Sequence, residues 1–195
     1  MKSIIFVSSN ERKFREVKSL LFGFNTKAQF VKKNLVELQA DSIEIIALNK
    51  SQYAFLEISK PLIVEDDGLF IDELLGFPGQ YSAFIFNTIG NSGIIKLMGN
   101  SSYRRACFKS VVAFSDGKNS ATFSGETVGT IARKATKGGW GYDPIFIPEN
   151  SHMTYGMLET RGEKGIYSHR ATAIRKFAQW FIDETKSKKS SRGLI

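Results

Sequence analysis

The segment "VEDDGLFIDELLGFPGQYSA", residues 64–83, decides the expected fold. It places Glu65, Asp66 and Asp67 directly after the apolar run "KPLIV" and follows them with Gly68 and a loop rich in glycine and proline. A short apolar run bounded by turn residues indicates a buried strand. Three carboxylates at the end of such a strand are costly unless a cation compensates them. The segment therefore predicts a strand that ends in a cation-binding site, with a solvated acidic turn as the alternative.

Carboxylate oxygens are hard ligands that suit Mg²⁺ or Mn²⁺, and Mg²⁺ commonly joins one or two carboxylates to phosphate oxygens. The chain has one cysteine, Cys107, and two histidines, His152 and His169. This excludes an internal disulfide framework and argues against a structural zinc site. We expect any metal to be oxygen-ligated, and Cys107, within an alternating apolar pattern, to be a strand residue and not a nucleophile.

The segments around this strand predict an α/β fold. "SIIFV" is a strand, and "SSNERKFREVKSLLFGF" is a polar turn and an amphipathic helix capped by Ser9 or Asn10. A second helix should begin near Ser42, an antiparallel hairpin near Arg105, and a last helix near Ser168. We predict a mixed, twisted central sheet flanked by helices, with two lobes and an active-site cleft between them. Residues 1–185 would form one catalytic domain and residues 186–195 a basic tail.

Composition limits the partners. The 195 residues are 42% hydrophobic and carry a formal net charge of +8, which suits one domain with a substantial core and an anionic partner. Nucleic acid, anionic membrane and phosphorylated small molecules all remain open on charge alone. The chain contains no apolar run long enough to span a membrane and no secretory pattern at its start, so we expect a cytoplasmic protein.

Three further segments can bind a nucleotide. The turn "SSNERK" offers backbone N–H groups, a helix dipole and Lys13 to an anion, although it lacks the glycines of a Walker loop. "GGWGYDP" can place the ring of Trp140 against a base, and "SHRATAIRKF" brings His169 and Arg170 to a helix start, with Lys164 upstream. A capped surface helix, a core tryptophan and a surface histidine are the respective alternatives.

In this order, the four segments resemble the inosine triphosphate pyrophosphatases, which act on non-canonical purine nucleotides. The resemblance runs from "FVSSNERKFREV" through "VEDDGLFIDELLGFPGQYSA" and "GWGYDPIFIP" to "EKGIYSHRATA". It implies hydrolysis of ITP, dITP and XTP between the α- and β-phosphates, with Mg²⁺ as cofactor and a homodimer as the usual assembly.

The resemblance also implies roles for particular residues. Asp66 would orient or deprotonate the attacking water and bind the metal together with Glu37, and Lys13 would balance charge in the transition state. The substrate-binding set would comprise Ser8, Ser9, Asn10, Glu11, Arg12, Lys13, Asp67, Trp140, Gly141, Tyr142, Asp143, Lys164, His169 and Arg170.

The chain departs from the family pattern at three positions. Ser9 stands in place of a usual glycine, Gly165 in place of an asparagine, and Asp67 in place of serine or threonine. The added charge of Asp67 could contact the metal or repel a phosphate. A family lysine on the second helix can be matched to Lys50, whose role the sequence does not assign.

Two rivals remain open at this point. One is a nucleotide pyrophosphatase with another base preference, such as modified pyrimidines. The other is a basic nucleic-acid-binding module, against which the carboxylates and the lack of a nucleic-acid motif both argue.

Overall fold

The computed structural model describes residues 1–190, and side chains through residue 184. Its centre is one mixed sheet in the order β2-β1-β3-β5-β6-β7, with the short β4 paired to β3. The strands are β1 (Lys2–Ser8), β2 (Thr26–Lys32), β3 (Leu62–Ile71), β4 (Pro78–Gly79), β5 (Arg105–Ser115), β6 (Ser120–Ile131) and β7 (Phe146–Pro148). Strand β1 is parallel to β2 and β3, and all other pairings are antiparallel. The predicted α/β class with a mixed sheet is confirmed.

Helices cover both faces of the sheet. They are α1 (Glu11–Phe22), α2 (Ile43–Ile58), α3 (Ser82–Thr88), α4 (Gly90–Met98), α5 (Tyr155–Thr160), α6 (Lys164–Tyr167) and α7 (His169–Ser190). None of the helices in the described part of the chain has the length and apolar character needed to cross a membrane.

The helix starts follow local capping chemistry. The Asn10 side chain accepts hydrogen bonds from the backbone N–H groups of Arg12 and Lys13, so Asn10, not Ser9, caps α1. Helix α2 begins next to Ser42, as predicted, and the Ser42 hydroxyl caps it by accepting from the Glu44 N–H. Helix α7 begins one residue after Ser168, whose hydroxyl accepts from the N–H of Ala171.

Strand β3 corrects the predicted position of the acidic segment. The strand does not end at Val64 but continues through the carboxylates to Ile71. Glu65 and Asp67 lie opposite Val112 and Ser110 of β5, and Gly68 pairs with Lys109. A side chain at Gly68 would place its Cβ 2.5 Å from the carbonyl oxygen of Gly79, so glycine allows β4 to lie close to β3.

Because successive side chains of a strand alternate between faces, β3 supplies two different surfaces. Ile63 packs with Phe6, Val17 and Phe177 in the core beneath α1 and α7. Leu62 and Val64 belong to the opposite core, beneath α2. A third core contains Leu69 and Ile71 and packs against α4 and α5. The carboxylates continue this alternation, so Glu65 and Asp67 face α1 and α7 while Asp66 faces α2.

The predicted basic tail lies partly within the described part of the chain. Helix α7 extends to Ser190 and so includes residues 186–190 of the segment predicted as a basic tail. Residues 191–195 of that segment lie outside the described residues. The boundary at residue 185 and the division into two lobes stay predictions.

Candidate active site

A cavity of about 840 Å³ opens beside β3, the β1–α1 turn and the start of α7. Its wall includes every predicted site residue except Lys164, which is buried beside the wall residue Asp143. It also includes Lys50 and Glu65. The fold therefore brings together segments that are up to about 160 positions apart in the sequence.

Asp66 and Glu37 meet on the α2 side of β3. The Lys50 ammonium lies 2.9 Å from Asp66 Oδ1 and 2.8 Å from Glu37 Oε1. Burial raises the pKa of Asp66 above its ordinary value, although the charges of Lys50 and Lys13 oppose the shift. Asp66 is consequently a stronger base than a solvated aspartate, and Lys50 holds one of its two oxygens in place.

These residues fit a divalent metal ion that takes most of its ligands from water and from the phosphates of a substrate. Asp66 Oδ2 is buried and has no hydrogen-bond partner among the described residues, so an acceptor oxygen is available at the cavity. Glu37 lies on a loop with its side chain 64% exposed and can reorient toward a ligand. Within the described residues, no group of three or more His, Cys, Asp and Glu side chains forms a complete metal cage. A metal held by two carboxylates needs its remaining ligands from water and substrate.

Asp67 and Glu65 bind cations on the opposite face of β3. Lys13 Nζ lies 2.9 Å from Asp67 Oδ1 and 2.9 Å from Glu65 Oε2. Asp67 Oδ2 accepts a short hydrogen bond from Nη2 of Arg170. Burial alone would raise the pKa of Asp67, but the charges of Lys13 and Arg170 hold it well below its ordinary value. Asp67 is therefore ionised and shared between two cations.

Arg170 is 1% exposed and is held by three carboxylates. Nε donates to Glu65 Oε1 at 3.1 Å, Nη1 to Glu16 Oε2 at 2.5 Å, and Nη2 to Asp67. Ser110 donates to the same Glu65 oxygen at 2.6 Å. The guanidinium is thus fixed in orientation before any ligand binds.

Glu16 is a site residue that the sequence analysis missed. Its carboxylate also accepts from Trp140 Nε1 at 2.9 Å and lies 3.4 Å from Lys164 Nζ. Burial opposes ionisation of Glu16, but Arg170 and Lys164 outweigh it and lower the pKa of Glu16 to about 2. The signal that could have identified it is its position three residues after Lys13, which puts both on the same side of α1.

The Trp140 loop is fastened by Asp143. Its Oδ2 atom accepts from the Trp140 backbone N–H at 3.0 Å and lies 2.7 Å from Lys164 Nζ. Lys164 and Arg170 both lie over the indole ring, at 5.6 and 5.2 Å from its centroid. One hydrogen bond at the edge of the indole and two cations over its ring therefore hold Trp140 in place. The side chain is half-buried and lies at the cavity wall.

His169 is buried and neutral. Its ring stacks on Phe108 at 4.6 Å, and burial lowers its pKa despite Asp67, whose Oδ2 is 3.9 Å from Nε2. Neither ring nitrogen has a hydrogen-bond partner among the described residues. A neutral imidazole at the cavity wall can donate to or accept from a ligand.

The side chains of the predicted phosphate turn mostly bind other groups of the protein. Asn10 uses its side chain to cap α1, and its N–H donates to the Ser8 hydroxyl at 3.1 Å. Glu11 pairs with Lys32 at 2.7 Å on the exposed rim. Lys13 reaches inward instead, and burial and the neighbouring carboxylates act in opposite directions on its pKa, with the carboxylates raising it overall.

The face of β3 toward α1 and α7 carries more negative than positive groups. Four carboxylates, Glu16, Glu65, Asp67 and Asp143, interact there with three cations, Lys13, Lys164 and Arg170. The chain as a whole is basic, so this local balance is the reverse of the overall charge. A phosphate that contacts this face meets carboxylates beside the cations, and a divalent metal can offset their charge.

Comparisons with known proteins give matches over nearly the whole chain. The sequence model of the Ham1 family matches residues 4–180. A dITP/XTP pyrophosphatase from Methanopyrus kandleri is 43% identical over 180 residues, covering 91% of this chain and 95% of that protein. One from Korarchaeum cryptofilum is 41% identical over 179 residues, covering 92% and 96%. The solved structure of the Staphylococcus aureus Ham1 protein matches with a TM-score of 0.78 at 27% identity, covering 92% of this chain and 99% of that one. The matched segment contains all the residues of the cavity wall.

Proposed function

The chain belongs to the Ham1 family, and from this we propose that it hydrolyses the non-canonical purine nucleotides ITP, dITP and XTP to the monophosphate and pyrophosphate. It is a hydrolase that acts on the bond between the α- and β-phosphates, and it removes these nucleotides from the cellular pool. The observation that carries the proposal is the half-buried Asp66 carboxylate. One of its oxygens is held by Lys50, and the other has no partner among the described residues at the cavity.

The residues of the chain have distinct tasks in the reaction. Asp66 orients or deprotonates the attacking water, while Lys50 fixes its Oδ1 atom. A bond forms between the water oxygen and the α-phosphorus, and the bond from that phosphorus to the bridging oxygen breaks, so pyrophosphate leaves with the bond's electrons. Lys13 supplies positive charge to the phosphate oxygens as charge develops on them.

We propose that Mg²⁺ is the cofactor and that Asp66 and Glu37 hold it. When bound, the metal neutralises phosphate charge and lowers the pKa of a water that it carries. The unpartnered Asp66 oxygen and the exposed Glu37 support this choice.

Base selection would use donors that favour a 6-oxo group over the 6-amino group of adenine. Arg170 is the proposed donor, and Trp140 is the proposed stacking surface. Replacing Arg170 by alanine would take one buried cation partner from each of three carboxylates, so Arg170→Lys is the better variant because it keeps the charge and removes the planar fork. We expect this change to lower the preference for ITP over ATP.

We also propose that the protein is a cytoplasmic homodimer. The exposed apolar side chains of Leu75 and Phe84, 98% and 68% exposed, support association because contact with a second copy would bury them. Sedimentation equilibrium would test it, and a mass of one chain at micromolar concentration would refute the dimer.

The test of the activity is pyrophosphate release from ITP, dITP, XTP, GTP and ATP, each with Mg²⁺ and with a chelator. We expect metal-dependent release from the first three. Asp66→Asn should fold normally and lose nearly all turnover, whereas Asp72→Asn, outside the cavity wall, should retain it. More than about a tenth of the rate in Asp66→Asn would refute Asp66 as the base. Release from pyrimidine nucleotides instead would favour a different base preference.

A further inference from the structure

We propose that Asp67 is an internal anion that competes with the substrate for Lys13 and Arg170 and so keeps the affinity of the site for polyphosphates low. The inference deepens the proposed function and rests on it. It concerns the residue at which this chain departs from the serine or threonine expected after the catalytic aspartate.

The position of Asp67 on β3 argues against a role as a metal ligand. Asp66 and Asp67 are successive strand residues, so they face opposite sides of the sheet. Asp66 contacts Lys50 of α2, whereas Asp67 contacts Lys13 of α1 and Arg170 of α7. Both oxygens of Asp67 have a cation partner, in contrast to the unpartnered Oδ2 of Asp66.

The same contacts favour competition with a bound anion. Lys13 and Arg170 lie at the cavity wall, together with Asp67, whose side chain is 20% exposed. Lys13 is the proposed contact of the phosphates and Arg170 that of the base, and each already shares its charge with Asp67. A phosphate that approaches Lys13 also meets the Asp67 carboxylate, whereas a serine or threonine hydroxyl at this position would not repel it. Ground-state binding is therefore weakened at the atoms that bind the ligand.

Removal of this charge should not leave a cation unpaired. Arg170 retains Glu65 and Glu16, and Lys13 retains Glu65. The cluster then has three carboxylates, Glu16, Glu65 and Asp143, for the three cations Lys13, Lys164 and Arg170. Asp67→Asn keeps the size of the side chain and balances the charges, so we expect a folded protein.

The effect should appear in binding more than in chemistry. An interaction that weakens substrate and transition state alike raises KM and leaves kcat unchanged. We expect Asp67→Asn to lower KM for ITP at least tenfold, which corresponds to about 1.4 kcal/mol, with kcat changed less than threefold. A purely structural role for Asp67 would instead lower kcat and stability together.

The deciding experiment is calorimetric titration of inorganic pyrophosphate into the full chain in a chelating buffer without metal. The wild type should bind with a dissociation constant above about 1 mM. Asp67→Asn and Asp67→Ser should bind at least tenfold more tightly, and more so at low salt than at high salt. Asp67→Glu, which keeps the charge, should remain weak. Asp72→Asn removes the same charge outside the cavity wall and should bind like the wild type.

Each outcome separates this proposal from the proposed function. Equal pyrophosphate affinity in wild type and both neutral variants overturns the role of Asp67, even if ITP is hydrolysed. An equal gain in pyrophosphate affinity in Asp72→Asn also overturns the role of Asp67, since the change in net charge would then explain the effect. Micromolar binding by the wild type overturns it without recourse to any variant. If no nucleotide is hydrolysed but the neutral variants bind more tightly, the proposed function fails and the competition by Asp67 stands.

Discussion

Glu16→Gln should destabilise the protein in a pH-dependent manner. Glu16 has an ordinary pKa of 4.5, and its pKa in the folded chain is about 2, because Arg170 and Lys164 outweigh the effect of burial. A carboxylate whose pKa is lowered on folding stabilises the folded state at pH values above its unfolded pKa. That stabilisation is complete above about pH 5 and is lost as the pH falls toward 2.

The magnitude follows from the same two values. A difference between 4.5 and about 2 corresponds to about 3 kcal/mol at neutral pH. Glutamine keeps the shape and one acceptor oxygen, and about 3 kcal/mol is the expected scale of the loss. In a chain of 195 residues this lowers Tm by about 6 to 12 °C.

The assay is urea unfolding of wild type and Glu16→Gln at pH 7, 5, 4 and 3, followed by far-UV circular dichroism. The difference in unfolding free energy should be largest at pH 7 and 5 and smaller at pH 3. Glu57→Gln is the matched control, because Glu57 pairs with Lys33 on the surface and should contribute about 1 kcal/mol or less. A difference that is constant from pH 7 to 3, or no larger than that of the control, would refute the assigned charge interactions of Glu16.

Three further substitutions test the packing that supports the site. Gly125→Ala would place a Cβ 2.2 Å from the carbonyl oxygen of His169, so it should displace the start of α7 and lower both ITP turnover and Tm. Ser82→Ala removes the hydroxyl that accepts from the Leu69 N–H at 2.8 Å, and it should cost about 1 to 3 kcal/mol in urea unfolding. Phe177→Ala removes a fully buried ring from the core-facing side of α7 and should lower the free energy of unfolding by about 3 to 5 kcal/mol, again measured by urea unfolding.

Each of these changes has a control of the same type elsewhere in the chain. Gly165→Ala meets no atom within 4 Å, Ser92→Ala lies on an exposed turn of α4, and Phe22→Ala removes a side chain that is mostly exposed. The free energy of unfolding of all three control variants should stay within about 0.5 to 1 kcal/mol of the wild-type value. A control that destabilises as much as its partner would contradict the packing argument for that pair.

Local patterns were sufficient for most of the secondary structure. The strand, polar turn and helix at the start, the cap at Ser42 and the last helix after Ser168 each depend on neighbours within a few positions. The β5–β6 hairpin follows from alternation and a turn sequence in the same way. Such signals survive in a single sequence because propensity and capping act locally.

The course of β3 could not be predicted from its own residues. Aspartate and glycine disfavour strands, so the local pattern predicts an end at Val64. The strand continues because β5 pairs with it as far as Ile71, and Ser110 and Arg170 satisfy the buried Glu65 carboxylate. These partners come from distant parts of the chain, and tertiary contacts overrode local propensity.

Glu16 was missed for a related reason. An acidic residue on an amphipathic helix normally faces solvent, and its spacing from Lys13 is the one local indication that Glu16 belongs to the site. Its partners Trp140, Lys164 and Arg170 are between 124 and 154 positions away. The basic residues at the start of α7 were predicted to bind a ligand, and the structure shows that carboxylates of the chain already hold Arg170.

The alternation along β3 makes the length of this strand as important as its composition. Loss or gain of one residue between Leu62 and Asp66 would move every later side chain to the other face of the sheet. Asp66 would then face Lys13 and Arg170, and Asp67 or Glu65 would face Lys50. No substitution at a neighbouring position could restore both sets of partners at once. In-frame insertions or deletions of one codon within this strand should therefore be absent from functional variants, even where many single substitutions along it are tolerated.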